Sequence, residues 1–255
     1  MRHYTIFTLL FFLFFVCTQL SAKKGSAAAK YKKMLHDEWK QLEKEVLDVF
    51  EMSDAEWAAF KKKNYSKYEA REASFKAKHK KGSTQLSDRV KNIISKFFAK
   101  FNIDSRAVDV IRNDKKDRLI TTDSGIYLSE RKLQVDNLTE SELQAAILHE
   151  VQHILKKDDS LLWFLRLYKY KSIGRMLRCV FSISYNRKCN KVIKKVAHFR
   201  EKRADILAGL CSATYARALL QFYKKQLELY VDRDSWSHPK FSTRVAYMQK
   251  LCSDM

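Results

Sequence analysis

One proline and five glycines are all the strong backbone punctuation in this 255-residue chain. A β-sandwich or barrel needs a turn signal about every ten residues, and glycine-rich phosphate-binding loops need more glycine than this, so helices are expected to dominate. A hydrophobic content of 46% is enough to bury a core at this length, which excludes a disordered tail. The expected architecture is α+β and mainly helical, with a small sheet.

Organisation follows from apolar spacing. Residues 1–22 read as an export signal: a basic Met1-Arg2-His3, an apolar run from Ile6 to Val16, and Leu20-Ser21-Ala22 as a cleavage point before Lys23-Lys24. The apolar run is shorter than the roughly 20 residues of a membrane-spanning helix. The expected location is therefore exported, either periplasmic or secreted, with peripheral attachment to a membrane and an uncleaved N-terminal anchor as competing readings. Residues 23–85 read as a basic helical extension. Lys23 to Lys30 looks like a flexible leader, Leu35, Trp39, Leu42, Val46 and Val49 mark an amphipathic helix, and Ser53 with Glu56 form a capping box opening a second. A linker is expected near Lys80-Lys81-Gly82-Ser83. Residues 86–255 read as the main domain: a helix over Ser87 to Phe101, then β-runs over Val108 to Arg112 and Leu119 to Leu128. The second β-run is broken at Asp123-Ser124-Gly125, and the sheet is expected to be antiparallel.

Charge and cysteine narrow the partners. Fifty Lys and Arg against 29 Asp and Glu give a net charge of +21, which attracts anionic lipids, cell-wall polymers, nucleic acid or acidic protein segments without choosing among them; an anionic membrane surface is one expected partner, and an exported chain is not expected to meet nucleic acid. Leu161 to Tyr185 mixes large apolar residues with cations and fits either an interfacial helix or a buried helical hairpin. Cys179, Cys189, Cys211 and Cys252 are compatible with two disulfides in any of three pairings, or with four thiols.

The chemistry is concentrated in one helix. Thr139 with Glu142 form a capping box, and the helix they open carries His149-Glu150-Val151-Gln152-His153. Histidines four residues apart emerge one turn above each other, so two imidazoles can grip one zinc ion, and Glu150 can take a proton from an activated water. A catalytic zinc needs a third ligand from another element, for which Glu201 is the candidate; Asp205 shares its helix face and can receive the N–H of a ligand histidine. His238, followed by Pro239, can support an oxyanion.

The ordered set H-E-x-x-H, E-x-x-A-D and H-P-x-x-x-x-R resembles the zinc metallopeptidase family of HtpX-like heat-shock proteases, CAAX prenyl proteases, Oma-type proteases and outer-membrane-quality-control proteases. The likeness spans roughly Ser87 to Cys252 and is greatest to the exported, soluble members. It implies a zincin-type fold with one zinc per chain on His149, His153 and Glu201, Glu150 as general base, and Asp205 supporting a ligand. It also implies that His238 and Arg244 lie beside the scissile carbonyl and in the network that supports it, that the β-run ending at Leu128 borders the cleft, and that the substrate is a protein or peptide. Gln152 and the Thr121-Thr122-Asp123-Ser124 segment depart from the family pattern. Two other readings compete with an endopeptidase: a catalytically silent zinc-containing, membrane- or wall-associated protein acting as a chaperone-like adaptor, and an inhibitory or recruiting role for the N-terminal helices.

Overall fold

The computed structural model describes residues 25–80, 87–100, 109–112, 120–123, 125–129, 137–176 and 182–255. The expected export signal, the linker around 81–83 and Cys179 lie outside them. Eight helices and three strands occur among the described residues: α1 (Gly25–Phe50), α2 (Asp54–Lys80), α3 (Asp88–Lys100), β1 (Asp109–Arg112), β2 (Ile120–Thr122), β3 (Gly125–Leu128), α4 (Glu140–Leu155), α5 (Asp158–Met176), α6 (Ser182–Leu210), α7 (Ala213–Leu229) and α8 (Phe241–Asp254). The chain is mainly helical with a small sheet.

The sheet differs from the expected antiparallel arrangement. Its order is β1-β3-β2; β2 pairs antiparallel with β3, with Thr121 opposite Ile126, but β1 pairs parallel with β3, with Val110 opposite Ile126. The turn at Asp123 folds β2 back on β3. A second reversal between β1 and β2 restores the original direction, so β1 meets the far side of β3 running the same way. All four residues of β3 are buried, and among the described residues β2 lies at an edge of the sheet.

At the centre lies α4, in contact with α3, α5, α6, α7, β2 and β3. The sequence suggests one apolar face, yet Leu143, Ala145, Ala146, Ile147, Leu148 and Val151 are all buried, together with His149, Gln152 and His153. A helix covered this completely belongs to the core. The bulkier Gln152 is accommodated inside it. The capping box is present: Glu142 N–H donates to Thr139 Oγ1 at 3.2 Å, and Thr139 N–H donates to Glu142 Oε2 at 2.8 Å.

The N-terminal helices share this core. Tyr31, Leu35, Leu42, Val46 and Phe50 of α1 and Trp57 and Tyr68 of α2 belong to the same buried cluster as Ile147, Leu165 and Val196. Gly25 to Lys30 are the first turns of α1, not a flexible leader, because Ala27, Ala28 and Ala29 are strong helix formers that extend the helix toward its N-terminus. The Lys30 ammonium and the Tyr31 hydroxyl both reach Asp254 Oδ2 of α8, at 2.8 and 3.0 Å. Ser53 and Glu56 cap α2 as expected. The Leu161 to Tyr185 segment splits between α5 and α6, with Leu162, Phe164 and Leu165 in the core. No disulfide joins Cys189, Cys211 and Cys252 among the described residues.

Gly209 sets the approach of α8 to α6. A Cβ there would lie 2.6 Å from Leu251 Cδ2 and 3.2 Å from Met248 Cε, so any larger residue would push these side chains aside. The close crossing carries Arg244 and Tyr247 of α8 to Asp205 of α6.

Candidate metal centre

Helical spacing stacks His149 and His153 on α4, and the long α6 brings Glu201 against them. His149 Nε2 and His153 Nε2 are 3.0 Å apart; Glu201 Oε2 lies 3.5 Å from the first and Glu201 Oε1 lies 3.3 Å from the second. The three side chains are buried, and one ligand atom from each falls within 4.8 Å of the others. This is the set named from sequence.

Each imidazole is turned by its own carboxylate. His149 Nδ1 lies 2.7 Å from Asp205 Oδ1, on an approach bent away from a linear hydrogen bond, and His153 Nδ1 lies 2.8 Å from Asp158 Oδ2. A proton on each Nδ1 leaves both Nε2 lone pairs aimed at the same small space as the Glu201 carboxylate. Glu201 Oε2 is itself buried and receives no aligned hydrogen bond. Lone pairs aimed at one another across this space repel, and a cation between them resolves the conflict. The group can therefore hold a metal ion.

Electrostatics without an ion show the same demand. Burial opposes a charged His149, but the Asp205 and Glu201 carboxylates outweigh it and push its pKa up to about 10. His153 is raised too: burial opposes the charge, and Glu201 and Asp158 favour it. Burial would lift the Glu201 pKa, yet His238 and the two histidines hold it well below the usual carboxylate range.

Asp205 is held from four sides. Arg244 donates Nε–H to Oδ2 at 2.9 Å and Nη2–H to Oδ1 at 2.7 Å, and the hydroxyls of Tyr223 and Tyr247 also donate to it. Arg244 Nη1 lies 3.3 Å from Glu201 Oε2, so one guanidinium braces a ligand and a ligand's support. His238 Nδ1 is 2.9 Å from Glu201 Oε2, with its side chain 55% exposed. The His238 loop is fixed by its own polar groups: Ser235 Oγ accepts from His238 N–H at 2.8 Å, and Asp234 Oδ1 accepts from Lys240 N–H at 3.1 Å. All seven residues named from sequence therefore converge, with Glu150 Oε1 at 4.0 Å from His149 Nε2.

Two contributors escape the sequence reading. Asp158 sits in a Lys-Lys-Asp-Asp run that looks like solvated surface, but Lys157 takes a left-handed backbone (φ 51°) and turns the chain so that Asp158 folds back on His153. Arg203 also donates to Asp158, and Arg200 Nε lies 3.5 Å away. Burial would raise the Asp158 pKa, but His153 and these guanidiniums bring it down to about 2. Thr121, on edge strand β2, donates its hydroxyl to Glu150 Oε2. The strand that reaches Glu150 is β2, within the Leu119 to Leu128 run, while β3 has a paired strand on each side.

Comparison with known protein families, with characterised proteins and with solved structures returns no match.

Proposed function

We infer that this chain is a zinc-dependent endopeptidase of the kind its three motifs resemble, acting on exported or membrane-associated proteins. The observation that carries the reading is the convergence of His149, His153 and Glu201 with a carboxylate beside them that is not needed as a ligand. Two histidines and one carboxylate are the donor set that zinc takes in hydrolytic sites, and the burial of all three fits a site that excludes bulk water. Bound zinc would polarise the scissile carbonyl and make the attacking water more acidic.

The remaining work falls to side chains. Glu150 takes the proton of the attacking water and passes it to the departing amine. The Thr121 hydroxyl aims the Glu150 carboxylate and ties it to β2, whose edge can pair with an extended peptide. His238, exposed and next to Glu201, is placed to donate to the developing oxyanion. Arg244 keeps Glu201 and Asp205 in position.

The test is cleavage of casein by the zinc-loaded chain, with and without chelator, for the parent and for Glu150→Gln. Chelator-sensitive cleavage is expected, falling by about 10²- to 10⁴-fold in the variant while bound zinc is unchanged. Zinc retained with no cleavage by the parent would favour the silent, adaptor-like reading.

A further inference from the structure

Of the seven large apolar side chains exposed among the described residues, four lie on one short stretch between the end of α7 and His238: Leu229, Tyr230, Val231 and Trp236, at 56, 40, 79 and 42%. They project from a braced loop. Asp232 Oδ1 accepts from Ser242 N–H at 3.2 Å and Asp234 Oδ1 from Lys240 N–H at 3.1 Å, while Lys194 reaches Asp234 at 3.4 Å and His198 Nε2 lies 3.1 Å from Ser235 O. The last two contacts fix the loop to α6. Along that helix Ile183, Arg187, Lys191, Lys194 and His198 recur at three- and four-residue spacing and share one face. Ile183 is 65% exposed, and Arg187, Lys191 and Arg233 are exposed as well. A ridge of cations thus runs along α6, with an apolar residue at its start and the apolar loop at its end.

We propose that this side of the molecule docks on a lipid bilayer with anionic headgroups. Leu229, Val231 and Trp236 enter the boundary between headgroups and acyl chains while Arg187, Lys191 and Arg233 meet the phosphates. The apolar groups are protruding tips, which suit a deformable lipid surface; a peptide side chain is taken up by a concave pocket. Basic residues around exposed Trp, Leu and Val match such a surface in both charge and polarity, and the net charge of +21 adds long-range attraction. Docking in this way sets His238 next to the membrane.

The readout is tryptophan emission of the full chain mixed with phosphatidylcholine vesicles containing phosphatidylglycerol, their acyl chains brominated to quench nearby indoles. It needs no catalysis, so its outcome is independent of the peptidase reading. Trp57 is buried and Trp39 and Trp163 are partly covered, leaving Trp236 as the indole presented to solvent among the described residues. Quenching is expected with the anionic vesicles, disappearing in Trp236→Phe. Arg187→Glu/Lys191→Glu should need at least about 30-fold more lipid for half-maximal binding, since each lost cation weakens attachment about fivefold and each new carboxylate is repelled by the headgroups. Quenching that persists in Trp236→Phe would place the contact elsewhere and overturn the proposal. So would an absence of quenching, or a charge-reversed variant that binds like the parent.

Discussion

Asp158 shows how one carboxylate can matter through the histidine it orients. It sets the orientation of His153 and is itself held by Arg200 and Arg203, in a place sealed from solvent. Removing such a partner typically weakens metal affinity by about 10- to 100-fold, so Asp158→Ala should bind zinc that much more weakly in a competition titration. Its pH signature has a definite sign. The folded pKa of about 2 is below the ordinary 3.8, so Asp158 stabilises the metal-free fold by about 2 kcal/mol above pH 4, and this is lost as pH falls through about 2. Urea unfolding of the chelated chain at stepped pH should show that acid-side loss in the parent and a flatter profile in Asp158→Asn.

Elements place these residues, and some placements depend on distant elements. The start of α5 is capped by the turn that joins β2 to β3: Asp123 Oδ1 accepts from Asp159 N–H at 3.2 Å and from Ser160 N–H at 3.4 Å. Tyr68 and Arg71 of α2 hold Asp159 next to it. Asp123→Ala should cost about 1 kcal/mol in a urea melt, the usual loss for a helix cap. What the sequence made legible was local: the capping box at Thr139, histidines spaced four apart in α4, and carboxylates spaced four apart in α6. What it hid was relational. Asp158 depends on a left-handed turn at Lys157, Asp123 on a helix from another part of the chain, and the parallel β1–β3 pair on two reversals whose sum no short window contains. The Gly25 to Lys30 stretch is helical for a local reason, the helix propensity of Ala27, Ala28 and Ala29, and its end is tied to α8 by the contacts of Lys30 and Tyr31 with Asp254.

Across the whole molecule, the site depends on packing that begins far from it. The helix α1 lies along α6, the element that carries Glu201 and Asp205, and its apolar face is continuous with the core beneath α4. Ion pairs from Glu38 to Lys202 and from Glu45 to Lys195 run along the seam, but exposed pairs of this kind contribute little, so the apolar contacts hold it. Leu42→Ala should therefore cost about 2 to 5 kcal/mol, readable as a lower urea midpoint with an unchanged slope.

The most direct measurement is the metal content of the purified chain by native mass spectrometry, compared with that of Glu201→Ala. One zinc per chain, lost in the variant while the fold is kept, is the predicted result. A parent that takes up no zinc, or a variant that holds as much as the parent, would contradict a centre built on His149, His153 and Glu201.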